Sequence, residues 1–145
     1  AEATAATLVD GWLRTGDLAR IDDEGFVFIV DRSKDMLISG GLNVYPAEIE
    51  AVLAGIEGVA VCAVIGVDDE KWGETPVALI GALPDASLDV ESIAAACRDQ
   101  LADYKRPRYI VLCGEPLPRG MSGKVLKRQL RDQYGDRSAL GPAVR

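Results

Sequence analysis

Residues 59–67 (VAVCAVIGV) form a nearly continuous apolar run, the feature that most restricts how this chain can fold. A short run of this kind without polar alternation predicts a β-strand that is buried on both faces. Two further strands are predicted at 76–83 and 108–112, and a six-residue polar loop at 68–73 joins the first two as a hairpin. Three strands cannot cover both faces of their own sheet, so helices must pack on them.

Helices are predicted in three places around these strands. Pro46 suits the first position of a helix that Gly55 can close, and Asp89 can cap a second helix that runs to about Leu101. The last helix covers 125–134. Apolar spacing gives the first helix one buried face, made of Ile49, Val52, Leu53 and Ile56. The order α-β-β-α-β-α predicts an α+β fold, a small three-stranded sheet covered by helices and preceded by a short β-hairpin region.

Composition excludes several kinds of chemistry. The 145 residues include no histidine, which removes Ser-His and Cys-His catalysis and most zinc sites, and we predict no metal site. Three cysteines without C-x-x-C spacing suggest reduced thiols in a cytosolic protein. No apolar run approaches the length of a membrane span, and no export signal is recognisable at the start.

Charge is distributed unevenly along the chain. The formal net charge of −7 argues against general nucleic-acid binding. Residues 1–100 carry a balance of −13 and residues 101–145 a balance of +6. The basic third is either an ordinary solvated helix or a surface that faces a phosphorylated ligand, and charge alone favours the former.

Three segments are candidates for chemistry: residues 11–17 (GWLRTGD), 31–41 (DRSKDMLISGG) and 120–124 (GMSGK). Taken singly, each is explained as a surface turn, a charged hairpin or a loop that caps the last helix. The third segment is not a phosphate-binding P-loop. That motif requires glycine where the chain has Pro118, and Ser or Thr where it has Val125.

Taken together, these segments resemble the adenylate-forming superfamily, which includes acyl- and aryl-CoA synthetases, luciferases and peptide-synthetase adenylation domains. The similarity covers about residues 10–134 and rests on GWLRTGDL, DRSKDMLISGGLNVYPAEIE and LPRGMSGKVLKRQLR in this order. The segment SGG…NVYPAEIE resembles the corresponding segment of acyl-CoA ligases most. Leu42 departs from the glutamate that such ligases usually have there, and Trp72 fits the family either as a loop anchor or as a ligand contact.

The resemblance implies a role for each matched residue. Asp17 would bind the ribose hydroxyls of the nucleotide, Arg32 would reach the ribose or phosphates, and Lys34 would be the hinge between two domains. Lys124 would be the catalytic residue, bridging the substrate carboxylate and the α-phosphate. The pantetheine arm of CoA would contact the glycine turn, made of Ser39, Gly40 and Gly41.

The resemblance also implies an organisation and a set of partners. Residues 1–33 would end a large amino-terminal adenylation domain, 34–135 would be the lid domain, and 136–145 a flexible tail. The expected activity is that of an acid–CoA ligase of the fatty acyl-CoA synthetase type, using ATP, CoA and Mg²⁺, with the metal held mainly by the amino-terminal domain. This fragment by itself is expected to be inactive.

Two alternatives remain open at the level of sequence. The chain could belong to an adenylation domain that loads a carrier protein, or it could be a non-catalytic, lid-like interaction module. We expect a cytoplasmic location without nucleic-acid binding or a transmembrane segment, and leave peripheral membrane contact open.

Overall fold

The computed structural model describes residues 2–137 and 140–144. The helices are α1 (Glu2–Thr7), α2 (Pro46–Ala54), α3 (Val90–Gln100) and α4 (Lys127–Tyr134), with a 3₁₀ turn at Asp103–Lys105. The strands are β1 (Leu8–Val9), β2 (Trp12–Leu13), β3 (Asp17–Ile21), β4 (Val27–Arg32), β5 (Leu37–Ser39), β6 (Leu42–Val44), β7 (Val59–Asp69), β8 (Gly73–Ala82) and β9 (Tyr109–Leu112).

Strand β8 is the centre of the main sheet. It pairs antiparallel with β7 along almost its whole length and parallel with β9 on its other side. The small β5–β6 hairpin extends the sheet through one pairing, Ser39 with Gly73. The predicted α+β fold with a three-stranded core sheet is therefore confirmed, and the sheet gains a hairpin at one end.

The two faces of the sheet carry separate apolar clusters, because side chains alternate along β7 and β8. One face packs on α2 and α3, with Ile49, Leu53 and Ile93 almost fully buried. The opposite face packs on α4 through Leu130. This arrangement explains the nearly continuous apolar run at 59–67, since residues 63–65 and 67 are buried against helices on the two faces of the sheet.

The ends of helix α2 and the start of helix α3 lie where the capping residues in the sequence predict them. Pro46 is the first residue of α2 and Gly55 its carboxy-terminal cap. The Asp89 carboxylate accepts a hydrogen bond of 2.8 Å from the amide of Ser92 and so caps α3. The prediction for the last helix began too early, because Val125 pairs with Arg119 in an isolated β-bridge before α4 starts at Lys127.

The connection between β7 and β8 is shorter than predicted. Both strands continue through the polar residues, so that Asp69 pairs with Gly73 and only residues 70–72 form the turn. Polarity misled the prediction here, because β7 and β8 pair with each other through the polar residues as well as the apolar ones.

The β3–β4 hairpin precedes this domain, as expected. Its apolar side chains are largely exposed, among them Phe26 at 60 % and Ile29 at 67 %. At the other end of the chain, Leu140 is buried and the amide of Val144 donates to the carbonyl of Arg108. These contacts argue against a wholly loose tail, while the predicted domain boundaries stay a prediction.

Candidate functional site

A cleft of about 800 Å³ opens between the β3–β4 hairpin and the segment that leads into α4. Thr15 and Gly16 line it on the hairpin side, and residues 123–128 line it on the other. Residues of all three sequence motifs therefore meet across one space, although more than 100 residues separate Thr15 and Gly16 from Lys124 in the chain.

On the hairpin side, Asp17 and Arg32 lie opposite each other in the pairing of β3 with β4. The Nε atom of Arg32 lies 3.5 Å from Oδ1 of Asp17. Gly16 adopts a positive φ of 79°, which favours glycine, and its carbonyl accepts a hydrogen bond from the amide of Ser33. The turn and the two strand ends thus hold a carboxylate and a guanidinium side by side, both accessible to a ligand.

On the opposite side, residues 119–125 form a tight loop that carries Lys124, and we call it the lysine loop. The amide of Gly120 donates to the carbonyl of Lys124, and the Nη1 atom of Arg119 donates to the carbonyl of Gly123 at 2.8 Å. Lys124 is exposed, and among the described residues no carboxylate lies within ion-pair distance of it. Its ammonium is therefore available to an anionic ligand.

The cleft carries an excess of positive charge. Its charged lining consists of two carboxylates, Asp35 and Glu50, and seven cations, Arg32, Lys34, Arg119, Lys124, Lys127, Arg128 and Arg131. Both carboxylates are already paired, Asp35 with Arg131 at 2.7 Å and Glu50 with Lys127 at 2.8 Å. Because these pairs cancel only two of the cations, the cleft favours a polyanion such as a phosphorylated nucleotide.

Lys34 lies at the edge of the cleft, in the turn that follows β4. The carbonyl of Arg32 accepts hydrogen bonds from the amides of Asp35 and Met36 across this turn. Lys34 itself is exposed and joins the hairpin to the strand β5 of the main domain. Ser33 and Lys34 are both exposed in this turn, where few contacts oppose a change of φ or ψ.

The glycine turn of Ser39, Gly40 and Gly41 is not part of this cleft. It joins β5 to β6, with Ser39 buried and both glycines at positive φ. The amide of Gly40 donates to the carbonyl of Trp72, and a Cβ added at Gly40 would lie 2.9 Å from the ring of Trp72. The structure thus brings Arg32, Lys34 and Lys124 into one cleft beside Asp17, and leaves the glycine turn outside it.

Sequence reasoning missed Glu50 as a support of the cleft. Its Oε1 atom accepts from the amide of Val64 at 2.7 Å as well as from Lys127, which ties α2, β7 and the start of α4 together. Burial, together with the charge of Glu50, raises the pKa of neighbouring Cys62 to about 11, against the opposing charge of Lys127. Cys62 is therefore a protonated thiol at neutral pH and a poor nucleophile.

No signal in the sequence marks these supports, because each depends on which elements pack together. Asp35 and Arg131 are 96 residues apart and meet only when α4 lies against the turn after β4. Arg119 could have been noted, since it begins the loop that holds Lys124. Among the described residues, no group of acidic, cysteine or histidine side chains is placed to hold a metal ion.

Comparison with known proteins extends this picture. Residues 48–124 match the family model of the AMP-binding enzyme C-terminal domain, a match that ends on Lys124. A long-chain-fatty-acid–CoA ligase of Mycobacterium tuberculosis is 50 % identical over 92 % of this chain, and a 2-succinylbenzoate–CoA ligase of Listeria monocytogenes is 44 % identical over 92 %. The chain covers 26 % and 28 % of the length of these two relatives, about a quarter of each.

Solved structures agree with the sequence matches. ATP-bound MatB from Rhodopseudomonas palustris superposes with a TM-score of 0.84 at 39 % identity, over 94 % of this chain and 27 % of that one. An o-succinylbenzoate CoA synthetase from Bacillus subtilis, solved with its acyl-adenylate intermediate, superposes with a TM-score of 0.80 at 41 % identity, over 88 % of this chain and 26 % of that one. The chain belongs to the AMP-binding enzyme C-terminal domain family and corresponds to the carboxy-terminal portion of acyl-CoA ligases.

Proposed function

We propose that this chain is the lid of an ATP-dependent acid–CoA ligase and works together with an amino-terminal domain. The observation that carries the proposal is the cationic cleft in which Lys124 faces the end of the Asp17–Arg32 hairpin. Two solved relatives bind ATP and an acyl-adenylate, respectively. A nucleotide and its acyl ester are therefore the ligands that we assign to this cleft.

In the first step, a carboxylate attacks the α-phosphate of ATP to form an acyl-AMP and release pyrophosphate. Two anions must approach each other, and the ammonium of Lys124 would stabilise the charge that they share. Asp17 would accept hydrogen bonds from both ribose hydroxyls, and Arg32 would contact the ribose or phosphates. Because the described residues offer no metal-binding group, we assign Mg²⁺ to the amino-terminal domain.

In the second step, the CoA thiol loses its proton to solvent and its sulfur forms a bond to the acyl carbon, while the bond from that carbon to the phosphate oxygen breaks and AMP leaves with its electrons. The glycine turn would border the pantetheine arm at this stage, because small residues allow a close approach. Since the turn lies outside the cleft that holds Lys124, one orientation of the lid would not present both to the same substrate. Rotation about Lys34 would exchange them, which is hinge motion between two chemical steps.

This proposal includes the division of the chain at Lys34. Residues 1–33 would belong to the adenylation domain, 34–135 to the lid and 136–145 to a terminal segment. The exposed apolar side chains of the β3–β4 hairpin support the first boundary, because soluble proteins rarely leave such a cluster uncovered.

The acid is proposed from similarity alone. One relative of 50 % identity is named for long-chain fatty acids, two others of 50 % and 51 % for a methyl-dioxo-octahydro-indenyl propanoyl group, and further relatives for succinylbenzoate and ferulate. We propose a role in fatty acid metabolism and a cytoplasmic location. The longest helix in the described part of the chain has 11 residues, and none there is long and apolar enough to cross a membrane.

Acid-dependent exchange of pyrophosphate into ATP tests the first step in the full-length protein that carries this chain. We expect Lys124→Ala to lower the exchange rate by about 10²–10³, the usual loss when one stabilising group is removed. Lys105→Ala is the matched control, because it removes a lysine that pairs with Glu48 outside the cleft. Nearly normal exchange by Lys124→Ala would refute the assignment.

A further inference from the structure

The most heavily engaged buried carboxylate of the domain lies outside the cleft, at the end of β7. The side chain of Asp69 is 7 % exposed, and its two oxygens take part in three polar contacts. A buried charge destabilises the folded state unless it is paired and hydrogen-bonded. The fold supplies these partners to Asp69. Nothing in the proposed chemistry uses Asp69 directly.

One oxygen of Asp69 organises the turn between β7 and β8. Its Oδ1 atom accepts hydrogen bonds from the amides of Lys71 at 2.9 Å and Trp72 at 3.1 Å. A carboxylate that holds two successive amides in this way sets the path of the backbone through the turn. The position of Trp72 therefore depends on the Asp69 side chain.

The other oxygen connects this turn to the segment after α4. The Nη2 atom of Arg137 lies 3.1 Å from Oδ2 of Asp69 and also donates to the hydroxyl of Tyr109 at 3.0 Å. Arg137 thus fastens the end of the chain to the Asp69 side of the sheet. We call Asp69 and Arg137 the brace.

Trp72 transmits the position of this turn to the glycine turn. Its carbonyl accepts from the amide of Gly40 at 2.8 Å, and its ring fills the space where a Cβ of Gly40 would be. The ring is itself held between Lys71 Nζ and the guanidinium of Arg108, each 4.7 Å from its centre. A shift of the 70–72 turn would therefore move Gly40 with it.

Resting on the function proposed above, we propose that the brace positions the glycine turn for thioester formation. Asp69 and Arg137 are positioning residues, since both act through Trp72 and neither lines the cleft of Lys124. The brace serves the second half-reaction only. Its loss leaves the chemistry at Lys124 intact and displaces the surface that borders the thiol substrate.

The test uses Asp69→Asn and Arg137→Gln in the full-length protein, with each half-reaction measured separately. Thioester formation from a supplied acyl-AMP is expected to fall by about tenfold to a hundredfold, the scale for displacement by up to an ångström. Acid-dependent pyrophosphate exchange is expected to stay within about twofold, since a factor of two is only a small change in barrier. Arg137→Lys, which keeps the charge and one donor, is expected to recover part of the loss.

Hydrogen exchange supplies a readout that does not depend on activity. The amides of Lys71 and Trp72 are expected to exchange faster in Asp69→Asn, because a neutral amide oxygen accepts more weakly than the carboxylate and the ion pair with Arg137 is lost. Asp89→Ala is the control for general destabilisation, since it removes the cap of α3 far from the glycine turn. It is expected to leave the ratio of the two half-reactions unchanged.

Equal losses in both half-reactions would overturn the positioning role and leave only a structural one. Unchanged thioester formation with faster amide exchange would also overturn it, because the turn would have moved without consequence. Neither result touches the proposed function, which fails instead if the unmodified protein shows no acid-dependent exchange.

Discussion

The lysine loop and the glycine turn both depend on glycines at positive φ, yet they are held in opposite ways. A Cβ at Gly123 would meet nothing within 4 Å, and Met121 at the tip of the loop is fully exposed. A Cβ at Gly40 would collide with Trp72. The first loop is held mainly by its own hydrogen bonds, and the second by Trp72 of the 70–72 turn and by Glu74 of β8.

This difference indicates how each element meets its ligand. A loop in open space keeps room for a nucleotide and can adjust when one binds, whereas a turn packed on a neighbouring strand is formed in advance. The carboxylate of Glu74 also holds the strand that leads into the glycine turn, since it accepts a hydrogen bond from the amide of Ile38 at 2.8 Å. The lid therefore has one adaptable face and one rigid face.

The largest expected effect is the loss of stability when a single methyl group is added to the glycine turn. We expect Gly40→Ala to lower the unfolding free energy by about 2–5 kcal/mol, because left-handed strain and overpacking against Trp72 combine. Gly41→Ala is matched to it, with the same sign of φ and nothing within 4 Å, and should cost about 1–2 kcal/mol. Hydrogen exchange of β7 and β8 amides in the full-length protein measures both. Equal losses would show that Trp72 does not restrict Gly40.

In the proposed catalytic cycle, Lys34 would be the hinge between the two faces. Lys34→Pro fixes φ near −65° and should slow thioester formation by about tenfold, or about 1.4 kcal/mol, while adenylation changes less. Lys34→Ala removes the side chain but keeps backbone rotation, so its effect on the second step should be smaller. Single-turnover measurements of the two half-reactions decide the matter, and equal losses would argue against the hinge.

The adaptable face should respond to the loss of Arg119. Arg119→Ala removes one hydrogen bond to the carbonyl before Lys124, a contribution of about 0.5–1.5 kcal/mol, and should slow adenylation by about 3- to 10-fold. Thioester formation from a supplied acyl-AMP should be unchanged. Arg119→Lys should restore part of the rate if a single donor suffices. A loss confined to the second half-reaction would contradict this role.

The smallest effect concerns acid stability at the rigid face. Burial opposes ionisation of Asp69, but the amides of Lys71 and Trp72 and the charge of Arg137 outweigh it, and the pKa of the carboxyl is lowered. Its stabilisation is therefore present above the unfolded pKa of about 3.9 and is lost as pH falls through the folded value. Denaturation of wild type and Asp69→Asn should differ at pH 6 and converge in strong acid. A difference that persisted at pH 2 would refute this.

Much of the architecture could be predicted from local patterns. The apolar run at 59–67, the spacing from Ile49 to Ile56 and the cap at Asp89 each depend on near neighbours in the chain, and each element formed where expected. The errors lie at strand ends and at the start of α4, where polar residues continue a strand because a partner strand is present. Such ends depend on pairing, which local composition does not encode.

The candidate site likewise has a part that the sequence predicts and a part that it does not. Ordered motifs identified Asp17, Arg32, Lys34, Lys124 and the glycine turn as candidates, since the spacing of residue types is itself the evidence for a family. Their arrangement in space depends on contacts between residues that are distant in the chain. Ion pairs such as Asp35 with Arg131 connect residues 96 positions apart, and only the packing of α4 brings them together.

The sequence by itself determined the class of fold, the family and the charged residues that are candidates for nucleotide binding. These follow from periodicity and motif order, which are properties of neighbouring positions. Only the tertiary structure decided that the lysine loop faces the hairpin across a cleft while the glycine turn lies outside it, held by Trp72 and Asp69. Long-range contacts set these relations, because a buried carboxylate is stable only where the fold assembles its partners.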